Sequence, residues 1–256
     1  MKPIDAYNDT SRRARIFLKL HDGLINTRDR RIRKDWKASF CKVMHWPQAA
    51  NIERVDSRDA IVVLRDGAAL EPDDFSQQSL GDLLRASLTF GVSALDRYVH
   101  ERVTKRFVAA LRERKLTKQQ EDFQIPATLA LKALERLRES AKAGRDVRPA
   151  NEIRVAVQEI LHQRPFQSWR EIEFAFQLIG INGLAGSLQA ALGLGDFTPT
   201  KDQLNEIARR RNLIVHEGDI PRHKRGGKPT AQSIEPQYVR TSLDFLNRFA
   251  TALDTV

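Results

Sequence analysis

The chain has 256 residues, with 43 lysines and arginines against 33 aspartates and glutamates, a formal net charge of +10. That balance favours polyanionic partners, nucleic acid above all, although an excess of Lys and Arg also serves many proteins as a solvated surface. Hydrophobic residues make up 41%, enough for a core; no apolar run reaches transmembrane length, no signal peptide is recognisable, and the lone cysteine, Cys41, excludes an internal disulfide, so the expectation is a soluble, cytoplasmic protein.

The apolar periodicity is helical nearly throughout. Asp9-Thr10-Ser11 is placed to cap a first helix ending at about Leu24. A basic segment at residues 28–34 follows, then an apolar and aromatic patch around Trp36, Phe40 and Trp46, interrupted by Pro47. The tryptophans sit among basic residues, which suits stacking on nucleobases; packing in a core or interface is the commoner use. Ala60-Ile61-Val62-Val63-Leu64 fits a strand or a helix, ahead of the turn signal Arg65-Asp66-Gly67. Residues 76 to about 115 carry the longest helical pattern, apolar over so wide an arc that this helix is expected to be central. Asp96 lies at the edge of the arc near Val92, Val99 and Val103, either as a solvated boundary residue or as the partner of a cation on a neighbouring helix.

Further helices are predicted near residues 127–143, 151–162, 169–178 and 184–193. Gly193, Gly195 and Pro199 then break the chain, and Thr200-Lys201-Asp202-Gln203 fits a capping box opening a helix that stops at Gly218. Residues 218–235 read as a loop rich in Gly, Pro and basic residues, and a last helix spans about 237–253. The predicted fold class is all-α: a helical bundle over residues 71–256, with a mostly helical N-terminal extension at 1–70 of unassigned role.

The densest chemistry lies in Ala208-Arg209-Arg210-Arg211-Asn212-Leu213-Ile214-Val215-His216-Glu217-Gly218-Asp219. At about 100° per residue, Leu204, Ile207, Ala208, Ile214 and Val215 gather in one stripe with Arg211 inside it. Asn205, Asn212 and His216 gather beside the stripe with Arg209, and Asn212 and His216, four apart, share a face. A guanidinium cannot shed its charge, and an unpaired buried charge costs about 3–5 kcal/mol, so Arg211 calls for a carboxylate, with Asp96 the expected one. An imidazole titrating near neutrality moves protons, and an arginine fork matches phosphate oxygens. A histidine near a helix end also suits the helix dipole, and the run Arg209-Arg210 also reads as a solvated face. In the following loop Arg222, His223, Lys224, Arg225 and Lys228 suit either an RNA backbone or plain solvation.

Arg210-Arg211-Asn212-Leu213-Ile214-Val215-His216-Glu217-Gly218-Asp219 resembles the "RRNxIVHExD" end of RiboL-PSP-type domains of the HEPN superfamily (higher eukaryotes and prokaryotes nucleotide-binding). Asp82-Leu83-Leu84-Arg85-Ala86-Ser87, with Val92-Ser93-Ala94-Leu95-Asp96-Arg97-Tyr98-Val99-His100-Glu101 after it, is similar to the same group's early central helix. The resemblance covers about residues 75–254, and nothing from it carries over to the first 70. It implies an all-α bundle that commonly dimerises, metal-independent RNA cleavage in many members, and binding without catalysis in others.

On that footing Arg211, Asn212, His216 and Asp96 are the expected catalytic group, and Arg209, Arg210, Arg222, Lys224, Arg225 and Lys228 the expected RNA contacts. Two chains with these helices facing would bring two histidines to one phosphate. The expected setting is a toxin or anti-phage defence effector restrained by an antitoxin or sensor protein, working without metal or cofactor. Cys41 and His45, though four apart, are too few ligands for a zinc site. The competing expectation is a non-catalytic RNA- or nucleotide-binding module acting as an interaction scaffold.

Overall fold

A computed structural model describes residues 2–144, 149–220 and 231–256. Among them are ten α-helices and one three-stranded sheet, so the class is an all-α bundle with a small β appendage. Its axis is α3 (Gln77–Glu113), which Ser76 opens by accepting a hydrogen bond from the Ser79 amide at 3.3 Å. Leu84, Leu88, Val92, Leu95, Val99, Val103 and Phe107 are buried around much of its circumference. That wide arc needs neighbours on several sides, and α1 (Pro3–Leu24), α6 (Pro149–Leu161), α7 (Trp169–Leu178), α9 (Thr198–Glu217) and α10 (Pro236–Thr255) supply them. Between these run α4 (Lys118–Glu121), α5 (Ala127–Lys142) and α8 (Leu184–Ala191). Gly91 lets α10 close on α3: a Cβ at that position would collide with the Leu243 side chain.

The start of α1 corrects the sequence reading. The helix begins at Pro3, and the Asp9-Thr10-Ser11 run lies inside it, with Thr10 and Ser11 buried and the Thr10 hydroxyl donating to the Ala6 carbonyl at 3.2 Å. Ala6, Tyr7, Ala14 and Leu18 form a buried stripe at helical spacing, and burying that stripe against α3 and α10 outweighs the local preference of Asp, Thr and Ser for a cap. Ser87 of α3 ties the pair, its hydroxyl donating to the Ala14 carbonyl at 2.8 Å. The packing therefore crosses the boundary expected near residue 70: α1 is a helix of the bundle.

The rest of the N-terminal stretch forms a separate lobe. Strands β1 (Arg28–Asp29), β2 (Ile52–Asp56) and β3 (Ile61–Arg65) make an antiparallel sheet in that order, with Val55 opposite Val62. Of the two options open for Ala60–Leu64 the strand is the one adopted. One face of the sheet buries Val55 and Leu64 against Phe75. Near the other stand Trp36 and Phe40 of α2 (Lys34–Val43), stacked at 4.8 Å, with Trp46 edge-on to Phe40. Arg54 lies over the Trp36 ring at 5.0 Å and Arg65 over Trp46 at 5.4 Å, so the tryptophans are packing residues.

At the other end of the chain, α9 starts at Thr198, whose amide donates to Asp196 at 2.9 Å, with Pro199 in the first turn. The expected box at Thr200 and Gln203 therefore falls inside the helix. Gly218 ends α9 at φ 61°, a left-handed conformation glycine adopts without steric cost. Among the described residues no helix is long and apolar enough to cross a membrane.

Candidate functional site

The first part of α9 is anchored in the core by Leu204, Ile207 and Ala208. Beyond them the same face comes out of the bundle: Ile214 is half-buried and Val215 is 46% exposed. Arg211 sits where this transition happens and is half-buried rather than enclosed. Its Nη1 donates to Asn212 Oδ1 at 3.0 Å, while its Nε is buried with no partner.

Asp96 does not meet Arg211, which corrects the expected pairing. Its Oδ1 accepts from the Phe166 amide at 2.5 Å and lies 3.6 Å from His100 Nε2. The carboxylate thus fixes the turn between α6 and α7, on a part of α3 that α9 does not approach with its arginine. His100 stacks on His162 and meets the Phe166 ring at a tilt, and burial pushes its pKa below the usual imidazole value, with the Asp96 charge opposing. Asp96 and His100 form a structural joint, outside the cavity described below.

Arg210 is also placed differently from expectation. Its guanidinium donates to Asp219 Oδ2 at 2.8 Å, to the Ser233 carbonyl at 3.0 Å and to the Gln232 side-chain carbonyl. Arg85 of α3 reaches the same carboxylate oxygen at 2.9 Å and the Gln232 carbonyl at 2.7 Å. Asp219 is wholly buried and holds φ 64°, an unusual value for a residue with a side chain. Its carbonyl accepts from the Gln232 amide at 2.8 Å. One carboxylate and two arginines therefore clasp the end of α9, the start of α3 and the segment leading into α10. Sequence reasoning missed this cluster. The signal was present: Asp219 closes the motif, and Arg85 lies in the second matching segment.

What the clasp builds is a cavity of about 810 Å³, within the usual range for small-molecule sites. Asn212, His216 and Arg209 line it from α9, and Ile234 and Tyr238 line it from the opposite wall. None of the wall from residues 232–238 was foreseen, because the side chains of the loop at 232–235 have no periodicity to betray their direction and Tyr238 stands in the first turn of α10. Glu206, Glu217 and Glu235 also line the cavity, so its residues carry both signs of charge. Burial, with Glu206 adding to it, raises the Tyr238 pKa.

Asn212, Arg209 and His216 are exposed, and His216 has no hydrogen-bond partner among the described residues. Arg211 does not line the cavity. Five residues of helix turn a side chain by roughly 140°, so Arg211 and His216 of one chain face different ways. The structure thus brings Asn212, His216 and Arg209 together, sets Arg210 in the wall as a clasp, and leaves Arg211 and Asp96 outside. Arg222, Lys224, Arg225 and Lys228 lie outside the described residues. No group of three or more His, Cys, Asp or Glu among the described residues is arranged to hold a metal ion. Comparison with protein-family models, with curated proteins and with solved structures returns no match.

Proposed function

We propose that this chain is a HEPN-type endoribonuclease that cuts RNA without a metal ion, working in the cytoplasm. The observation carrying the reading is a solvent-open imidazole, His216, on the wall of a nucleotide-sized cavity, with the Asn212 amide one turn away and Arg209 beside it. In this reading the imidazole takes the proton of a ribose 2′-hydroxyl. The 2′-oxygen attacks the adjacent phosphorus, the bond to the 5′-oxygen breaks, and a proton goes to that leaving oxygen. The products are a 2′,3′-cyclic phosphate and a 5′-hydroxyl. Arg209 and the Asn212 amide meet the phosphoryl oxygens, and Arg211 holds the Asn212 carbonyl so that the amide points outward.

One chain offers one such histidine, so the acid is supplied by a second copy whose α9 faces the first. Support comes from the last turns of α9, where Asn212, Val215 and His216 are exposed and the bundle leaves the helix uncovered. The setting that fits the resemblance is a toxin or anti-phage effector held in check by an antitoxin or sensor protein.

Purified protein incubated with total RNA should cut it equally with and without chelator. RNA lacking the 2′-hydroxyl should stay intact, and His216→Ala should bind but not cut. Sedimentation of an active monomer would remove the dimer. A second reading, a module that binds RNA or a nucleotide without cutting, is favoured by two observations: the motif arginine is off the cavity, and three glutamates line it. Equal binding with no cutting by either protein would select it.

A further inference from the structure

We propose that the N-terminal lobe is a second nucleic-acid contact, a cationic saddle that holds the phosphate backbone of single-stranded RNA beside the His216 cavity. Residues 28–42 carry seven lysines and arginines against two aspartates. Arg30 has a carboxylate within pairing range, Asp56 at 3.8 Å; the other six have none among the described residues. Arg28, Arg31, Arg33, Lys34 and Lys42 are exposed. An ordinary solvated surface intersperses both signs, whereas here six of the seven cations have no carboxylate in pairing range among the described residues.

These cations are also held in place. Arg28 and Asp29 pair with Asp56 and Val55 of β2, and the Arg30 amide donates to the Arg54 carbonyl at 2.9 Å. The helix α2 is fixed by its aromatic contacts with Trp46 and by Arg54 over Trp36. Lys34, Ala38 and Lys42 run along one outward side of it, with the two lysines about 12 Å apart along the axis. Trp36 already contacts Phe40 and Arg54, and Trp46 contacts Phe40 and Arg65, so both rings are engaged within the lobe. The lobe therefore reads the sugar–phosphate backbone, with little regard for sequence.

Position ties the saddle to the cavity. Thr27 Oγ1 donates to the Phe75 carbonyl at 2.9 Å, which joins the lobe to the start of α3, the end that also carries Arg85. Asp22, at the end of α1, pairs at 2.9 Å with Arg240, two residues after the cavity residue Tyr238. The end of α1, the start of α3, the end of α9 and the start of α10 all meet at one end of the bundle, and the lobe is attached there. The lobe and the cavity therefore share one end of the bundle. RNA as the ligand rests on the reading of the cavity, and binding is measured without cutting so that the two can fail separately.

The test compares full-length His216→Ala protein with the same protein carrying Arg31→Ala, Arg33→Ala, Lys34→Ala and Lys42→Ala. Binding to a labelled, unstructured RNA is followed by anisotropy over a salt series. The four changes should weaken binding about 10- to 100-fold at low salt and flatten the slope of log affinity against log salt by up to about 3, at roughly 0.7 per phosphate contact. A charge-preserving set, Arg31→Lys, Arg33→Lys, Lys34→Arg and Lys42→Arg, should keep both. Unchanged affinity and slope in the alanine set would overturn the proposal. So would equal loss in the charge-preserving set, or binding of phosphatidylserine vesicles through this lobe with none of RNA. If the native chain leaves RNA intact while the alanine set loses binding, the saddle stands and the nuclease reading falls. If the native chain cuts and the alanine set binds as before, the saddle falls alone.

Discussion

Two polar assemblies sit within a few residues of each other at the end of α9, and they have opposite fates. Asp219 is wholly buried, with two guanidiniums closed on one of its oxygens and the Gln232 and Ser233 carbonyls taking further N–H groups. His216, three residues earlier, is exposed and has no described partner. Desolvating a carboxylate costs several kcal/mol, and two guanidiniums on Asp219 Oδ2 offset that cost, while Oδ1 is buried with no partner. An exposed ring is satisfied by water and stays available. The lesson is that density of charge in a sequence does not mark a site; the number of partners the fold supplies does. Among three consecutive arginines, Arg209 is exposed while Arg210 and Arg211 are half-buried, and of these two Arg210 is the one paired with a carboxylate.

The division can be broken or sharpened by experiment. His216→Ala should lower RNA cleavage by about 10²- to 10⁴-fold and leave stability within about 0.5 kcal/mol; a large stability loss would place the ring in the structural group. Asp219→Ala should do the reverse, costing about 3–5 kcal/mol in urea denaturation by removing the buried carboxylate that Arg85 and Arg210 share, and a loss under about 1 kcal/mol would break the contrast. Arg85→Ala should cost less, about 1.5–3 kcal/mol, since Arg210 still answers the carboxylate. Arg211→Ala should reduce cleavage roughly tenfold, the worth of one positioning hydrogen bond, with RNA affinity unchanged; a loss as deep as that of His216→Ala would mean that the guanidinium itself meets the phosphate.

The smallest effect concerns His100. Burial holds its pKa below the usual value, and the stacked His162 ring adds to this against the pull of Asp96, Glu101 and the Arg164 carbonyl. The folded state then binds fewer protons than the unfolded chain, so stability is full above about pH 6.5 and declines as pH falls below it. Urea midpoints at about pH 7.5 and about pH 5.5 should differ less in His100→Phe than in the native chain, and equal differences would discard this account.

Much of the helical layout was legible because long apolar repeats leave little choice. The elements from α5 to α10 begin and end within a few residues of expectation, and α3 is the central helix its wide apolar arc required. The failures have local causes. Asp9-Thr10-Ser11 has cap chemistry yet lies inside α1 with Thr10 and Ser11 buried, and Ile52-Glu53-Arg54-Val55-Asp56 lacks a clean alternation, so only pairing with β3 makes it a strand. Asp96 showed its place at the edge of an arc, but the neighbour it meets is a loop amide that no periodicity points to. For the candidate site, the shared face of Asn212 and His216 was legible, whereas the opposite wall and the clasp behind it were not.

What the chain determined alone is whatever one helix settles internally: the 3.6-residue repeat that aligns Asn212 with His216, and the glycine that stops α9 at Gly218. What only the tertiary structure decided is who meets whom across the sequence. Arg85 and Asp219 are 134 residues apart, and Asp219 rather than Asp96 is the wholly buried carboxylate because the packing of α3, α9 and α10 closes over the end of α9. Depth sets the cost of leaving a charge unpaired, and that cost exists only once the helices have packed.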